Sequence, residues 1–464
     1  MVKCPSRPLL FWVYTFWYWY NINASFFVYK KDSCCPYVVQ SIHHKNHVKK
    51  VMQMSQNNSI LNLLEIEDQN IKIQKVDTTI QNNEKVKLIY ASLSYPVERC
   101  KNCGFKSVVK NGRRKTHLRL DSLNGTRYEM ILAKQRYYCS NCQTTFGATT
   151  DLTKPNQTLS RKLKNQIMAF SKEGLNGQLV ARICHCSPSS VHRTIKERMK
   201  RHYRMAVLPK HLCFDEFRSV KSVMSFICCD SESHQLVVKL KDRLSPSIID
   251  YFENRYSKAE REQVETVVID LNAQYQSFIY RLFPNAQIII DRFHIIQLTG
   301  RALDNCRINI LKFLDAHSRE YKIMKSQWRL FHLKQTELHP EKPVYLRGIN
   351  EYMTKQNAVD LITNKFDDFK AVYQTYQTIT KALHDRDQEL LQDVLEHYQP
   401  NKTAMDTTIA TLRKNRRAVI NSTKYEYSNG PLEGINRKIK TLKRVCYGFA
   451  NQEFFFLRID CLFA

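Results

Sequence analysis

Three acidic side chains stand where apolar, strand-like runs carry or end in a charge, or where a helix begins. They are Asp215 in HLCFDEFRSV, Asp270 at the end of VETVVID, and Glu433 in SNGPLEGINRKIKTLKR. Carboxylates gathered from separate segments repel one another and call for a cation between them. Their hard oxygen atoms suit Mg2+ (or Mn2+), which fills its other positions with water and phosphate. Two such ions about 3.5–4 Å apart activate an attacking oxygen and stabilise a leaving one at phosphorus. The chemistry open to these residues is therefore metal-dependent displacement at a phosphodiester. Asp291, which ends the run NAQIIID, is the alternative second acid, and His294 just beyond it is a lower-ranked candidate for the scissile region. Glu216 adjoins Asp215, but neighbours on a strand face opposite ways.

The surroundings of Glu433 sharpen its role. Gly430 and Pro431 mark a helix start, with Pro431 at the first helical position and Glu433 at the third. An acid there complements the helix dipole and can cap the backbone. At 100° per residue, Arg437, Lys440 and Arg444 fall within about 40° of Glu433, whereas Ile435, Ile439 and Leu442 lie about 180–240° away. One acid thus heads a basic stripe, with an apolar face behind it. That pattern suits a metal ligand beside a phosphate backbone.

The elements that must position these residues follow from periodicity. Residues 208–294 read as three strands, a helix, a strand, a helix and a strand, an order that suits a ribonuclease-H-like α/β fold. In that fold the first and fourth strands are neighbours, which brings Asp215 and Asp270 together. Between Asp270 and Glu433 lie 162 residues, mostly of charged helical period. This insertion, about 295–425, must begin and end close together on the sheet. The catalytic domain spans 208–464.

Upstream, CKNC supplies Cys100 and Cys103, and CSNC supplies Cys139 and Cys142. Two C-x2-C knuckles predict one structural, tetrahedral Zn2+ site, a zinc ribbon over 96–147, with strands between the knuckles. Four Cys ligands close the coordination sphere to catalysis. Cys184 and Cys186 of CHC read as the core of a helical domain instead. Residues 158–203 form three helical pieces, the last opened by Ser187 and Pro188. As a helix-turn-helix this segment would present Ser189, Ser190, His192, Arg193 and Lys196 to a DNA groove. The charge agrees: 72 Lys and Arg against 43 Asp and Glu give +29, which favours a polyanionic partner. Residues 54–95 form an N-terminal segment of a short helix and strand-like alternation. Residues 1–53 contain the aromatic run PLLFWVYTFWYWY, too short for a bilayer span, and are read as an extension arising from an upstream mis-start.

Taken together, the two knuckles, CFDEF, VIDLNAQY, FPNAQIIIDRFHI and SNGPLEGINRKIKTLKRVCYGF resemble bacterial insertion-sequence transposases of the ISL-three group, from about Met54 to the C-terminus. The resemblance implies a DDE transposase with a zinc ribbon, a helix-turn-helix and a ribonuclease-H-like domain carrying a helical insertion. It places the catalytic, metal-holding triad on Asp215, Asp270 and Glu433. It also implies Mg2+-dependent cleavage at the terminal inverted repeats and strand transfer by the freed 3′ hydroxyl. The implied partner is double-stranded DNA, not a small-molecule substrate or a membrane. Synapsis of two ends implies a homo-oligomer, and the implied setting is the bacterial cytoplasm at the nucleoid. The alternative is a zinc-ribbon and helix-turn-helix transcription regulator. It accounts for the charge and for residues 97–203, but leaves the three acids and the split helix unexplained.

Overall fold

The computed structural model describes residues 59–123, 125–199, 205–271 and 274–464. The predicted extension at 1–53 lies outside the described residues, as do Asn272 and Ala273 of VIDLNAQY. A short helix covers 59–63 (α1). The chain from Ile66 to Ala464 forms one unit.

The first sheet of this unit starts with a hairpin, β1 (Ile71–Gln81) and β2 (Glu84–Leu93). The two-residue turn holds Asn82 and Asn83 at φ of 50° and 64°, the left-handed pair that a tight hairpin of this hand needs. A second hairpin, β3 (Val108–Arg119) and β4 (Arg127–Cys139), carries the Cys knuckles at its open end. A short strand β5 (Thr145–Gly147) adds to β4. The order is β1-β2-β4-β3, with β2 and β4 parallel. The strands before residue 95 and the Cys-bearing strands therefore share one sheet rather than forming two modules.

Three helices come next: α2 (Arg161–Lys172), α3 (Gly177–Ile183) and α4 (Pro188–Met199). Each start is polar and capped. Ser160 accepts from Leu163 N, Asn176 from Leu179 N, and Ser187 from Ser190 N. Leu163, Ile167, Val180, Val191 and Ile195 form their common core.

The second sheet contains β6 (His211–Arg218), β7 (Met224–Asp230), β8 (Leu236–Lys239), β9 (Thr266–Ile269) and β10 (Gln287–Ile290). Its order is β10-β9-β6-β7-β8. The triplet β6-β7-β8 is antiparallel, and β9 and β10 are parallel to β6. Helices α5 (Ser245–Arg255), α6 (Lys258–Glu262) and α7 (Gln276–Leu282) fill the crossovers. Both faces are covered, so the strands read as near-continuous apolar runs. Phe214, Val267, Ile269, Ile288 and Ile290 enter the larger core. Cys213, Phe217, Ile227, Val268 and Ile289 face the other way, into a core with the two C-terminal helices.

Between β10 and those last helices lie α8 (Arg292–Leu311), α9 (Arg319–Ser326), a hairpin of β11 (Pro343–Leu346) and β12 (Glu351–Thr354), α10 (Lys355–Thr363), α11 (Asp367–Asp385), α12 (Gln388–His397), α13 (Ala404–Lys414) and α14 (Arg416–Lys424). The hairpin interrupts what periodicity gives as a helical stretch. α14 returns to the sheet, where Asn421 Nδ2 donates to the Ile288 carbonyl at 2.8 Å. Arg292 Nη2 donates to the Glu426 carbonyl at 3.3 Å. The insertion thus opens and closes at β10, as a continuous sheet requires. The chain ends with α15 (Gly430–Val445) and α16 (Gln452–Leu462).

α15 begins one residue earlier than the sequence suggests. Asn429 is the cap, Pro431 is the second helical residue and Glu433 the fourth. The Glu433 N–H already donates to the Asn429 carbonyl at 2.9 Å. This corrects the capping role given to Glu433, since a capping-box acid acts from the third position.

Candidate active site and metal centre

Alternation along the strands decides which acids meet. Asp215 shares the parity of Cys213 and Phe217, Asp270 that of Val268, and Asp291 that of Ile289. All of these apolar neighbours lie in the core under α15. The three aspartates therefore line one face of the sheet, Asp215 within β6 and Asp270 and Asp291 just past the ends of β9 and β10. Glu216 faces the opposite side, where it is held by Arg243 at 2.6 Å and Tyr275 Oη at 3.1 Å.

Two asparagines of the α15 segment pin the aspartates. Asn436 Nδ2 donates to Asp215 Oδ2 at 2.6 Å, and Glu216 N donates to Asp215 Oδ1 at 2.7 Å. Asn429 Nδ2 donates to Asp270 Oδ1 at 3.1 Å and to the Phe214 carbonyl at 3.2 Å, while its backbone N–H donates to Asp291 Oδ1 at 3.1 Å. Both asparagines are buried, and among the described residues the Oδ1 of each has no hydrogen-bond partner. His294 Nε2 lies 2.8 Å from Asp270 Oδ1. Burial, and next the charge of Asp270, push the Asp215 carboxyl up to about 7. Burial likewise raises Asp291. The hydrogen bond to Asp270 raises His294, so the imidazolium is favoured beside that carboxylate.

Glu433 stands apart. Its side chain is 64% exposed and pairs with Arg437 Nη2 at 2.8 Å. The three carboxylates do not form a cluster within 4.8 Å, whereas the four Cys thiols do. Glu433 nevertheless shares a helical face with the two pinning residues. At 100° per residue it lies about 40° from Asn429 and about 60° from Asn436. Arg437, Lys440 and Arg444 are exposed on α15, and Leu432, Ile435, Ile439 and Leu442 are buried beneath it. The asparagines escaped the sequence reading because Asn429 resembles an ordinary cap and Asn436 falls on the boundary between the apolar and basic faces.

The thiols of Cys100 and Cys142 lie 3.6 Å apart, as do those of Cys103 and Cys139. A tetrahedron with metal–sulfur bonds of about 2.3 Å has edges of about 3.8 Å, so the donor set fits Zn2+ far better than disulfides of about 2.05 Å. The two knuckles close alike. Cys100 N donates to the Phe105 carbonyl and Cys139 N to the Thr144 carbonyl. The residue after each second Cys, Gly104 or Gln143, has φ of 75° or 54°. Hydrogen bonds from the Thr144 hydroxyl and N–H hold the Cys142 thiol down to about 6, which favours the thiolate a metal needs. Cys184, by contrast, is buried among the helices, and burial pushes its thiol up to about 12.

On α4, Ser189, His192, Arg193 and Lys196 are exposed, and Ser190 is half-buried with its hydroxyl 3.0 Å from that of Ser187. The His192 ring lies 3.9 Å from the Phe454 ring of α16, so this residue also serves the contact between the helical trio and the C-terminal helix.

A chain with paired aspartates on neighbouring parallel strands, a basic helix across them and a four-thiol centre upstream has the make-up of a DNA-processing enzyme. Residues 212–459 match the profile of a family described as transposase, the ISL-three DDE group. That match covers more than half of the sequence, and the chain belongs to this transposase family. It is 23% identical over 388 residues, 81% of this chain and 91% of the relative, to the transposase for insertion sequence element IS1001 of Bordetella parapertussis. A protein of Lactococcus lactis subsp. lactis named ATP-dependent protease is 24% identical over 277 residues, 53% of this chain and 88% of its own length. No two glycines in the present sequence are five residues apart, so it holds no phosphate-cradling G-x-x-x-x-G-K motif.

Proposed function

We propose that the protein is a DDE transposase that binds the terminal inverted repeats of its insertion sequence and catalyses metal-dependent cleavage and strand transfer. The sheet order β10-β9-β6-β7-β8 supports a ribonuclease-H-like catalytic core. The first sheet with its thiol centre, and the helical trio as a helix-turn-helix, read the DNA end. Two chains act together to hold two ends. The DNA it works on is that of a bacterial nucleoid in the cytoplasm. Among the described residues no helix is long and apolar enough to cross a membrane.

The observation that carries the reading is the Asp215–Asp270 pair. Two acids are fixed side by side on neighbouring strands, and burial together with the adjacent charge raises one of them to about 7. Among the described residues neither is matched by a Lys or Arg within 4 Å; the ionisable base that faces Asp270 is His294. A hard-oxygen site of this kind fits Mg2+ or Mn2+, with Asp215 and Asp270 as holders and Glu433 joining them on leaving Arg437. When bound, the metal would supply charge stabilisation at the scissile phosphate and acidify the attacking hydroxyl. The chain's own part is to orient and exclude. Asn436 and Asn429 fix the carboxylate oxygens, His294 keeps a proton at Nε2 facing Asp270, and Lys440 and Arg444 hold phosphates.

The test is cleavage and strand transfer in vitro on DNA carrying the element's own inverted repeats. Asp215→Ala, Asp270→Ala and Glu433→Ala are each expected to lose about 10³-fold or more of activity while retaining end binding. Full activity in the Asp215→Ala or Glu433→Ala protein would overturn the site assignment.

A further inference from the structure

We infer that Tyr447, at the corner between α15 and α16, is an aromatic DNA contact that links the helical trio to the catalytic helix. The inference rests on the transposase reading above. Three observations carry it.

The first is backbone conformation. α15 closes with Tyr447 N donating to the Arg444 carbonyl at 3.1 Å and Gly448 N to the Lys443 carbonyl at 2.8 Å. Tyr447 sits at φ of 54°, followed by Gly448 at 92°. The left-handed residue after a helix is ordinarily glycine, which has no Cβ to clash. A bulky side chain there is uncommon and marks strain or function. The second is exposure. Tyr447 is 94% exposed, more than any other large apolar or aromatic residue described. Neither backbone preference nor burial explains a tyrosine at this corner.

The third is placement. Tyr447 lines a cavity of about 650 Å³ whose other wall is the start of α4, with Pro188, Ser189 and His192. Ser189 and His192 belong to the face assigned to DNA, and α15 leads from the corner back to the aspartates along Arg444, Lys440 and Arg437. A duplex following this basic path passes over the Tyr447 ring. The partner is therefore DNA, met by an aromatic ring on a base or sugar. From Glu433 to Tyr447 is fourteen residues, about 21 Å at about 1.5 Å per helical residue. That is the length of about six base pairs at 3.4 Å each, so the ring meets the element end about six base pairs from the cleaved bond.

The experiment uses the full-length protein and inverted-repeat duplexes with 2-aminopurine placed singly at about three to ten base pairs from the cleavage point. The wild type is expected to change probe fluorescence near the sixth position. Tyr447→Phe keeps that signal. Tyr447→Gly and Tyr447→Ala lose it and weaken end binding about tenfold or more. Tyr447→Gly is also expected to melt no lower than the wild type, because glycine relieves the left-handed corner. Unchanged binding in the Gly and Ala proteins overturns the inference, and so does loss of the signal in Tyr447→Phe. A fall in melting temperature of Tyr447→Gly that parallels its binding loss makes the residue structural and also overturns it. The readouts are binding and fluorescence, so they stay separate from the cleavage readout that judges Asp215 and Glu433. An Asp215→Ala protein should retain the Tyr447 signal.

Discussion

Asn436 and Asn429 hold the aspartates in place with side-chain amide and backbone hydrogen bonds, and among the described residues the carbonyl oxygen of each is buried without a donor. Asn436→Ala removes the donor to Asp215 Oδ2. It is expected to lower the cleavage rate about 10- to 100-fold with little change in end affinity, since the residue orients a ligand without touching DNA. Asn436→Asp, which sets a third negative charge against Asp215, should be worse. Equal rates for the Ala variant and the parent would remove the positioning role. At this scale the acids were legible in the sequence, because a carboxylate in an apolar strand is costly to bury unless a cation or a donor meets it. The asparagines were not, because their importance lies in a register between α15 and β6 that no local pattern encodes.

Among the elements, the helical trio shows how pairing across segments tunes a charge. Glu197 on α4 meets Lys164 of α2 at 2.6 Å and Lys154 at 2.7 Å. These hydrogen bonds, Lys154 foremost, hold its carboxyl down to about 2. A depressed acid contributes stability that is present above its unfolded value of about 4.5 and lost as pH falls through about 2. Glu197→Gln is therefore expected to destabilise the protein at pH 6, on the order of 1–2 kcal/mol for a partly exposed pair. The deficit should narrow as pH falls below about 4. Melting curves across that range decide it, and a deficit independent of pH would deny the ion pair its role. Element types were readable where caps and periods were clean, as at Ser187-Pro188 and along the split face of α15. The hairpin β11–β12 was not, because four-residue strands inside a charged helical stretch carry little alternation. Nor was the pairing of β2 with β4, which joins segments distant in the chain.

For the molecule as a whole, α16 decides how the parts are joined. Its run of three phenylalanines cannot lie on one helical face. Phe455 and Ile459 enter the core beneath the second sheet, while Phe454, Leu457 and Cys461 pack against the helical trio. Arg458, only 2% exposed, reaches across to the Leu175 carbonyl at 2.7 Å. The residues assigned to DNA reading and the aspartates thus belong to one packed body, and the basic residues of α4 and α15 can act on one duplex. The surplus of +29 announces a polyanion but not its path. The salt dependence of end binding would trace it. Each phosphate contact contributes about 0.9 to the slope of log K against log salt on duplex DNA. Replacing Lys440 and Arg444 by Gln is expected to flatten that slope by about 2, and adding Lys196→Gln by about 1 more. In binding measured without divalent metal, Arg437→Gln alone should change it less, because Glu433 there neutralises that guanidinium. If the α15 changes left the slope untouched while Lys196→Gln reduced it, DNA would meet α4 without running along α15. The six-base-pair spacing from Tyr447 to the cleaved bond would then fall with it, because that figure takes α15 to lie along the duplex.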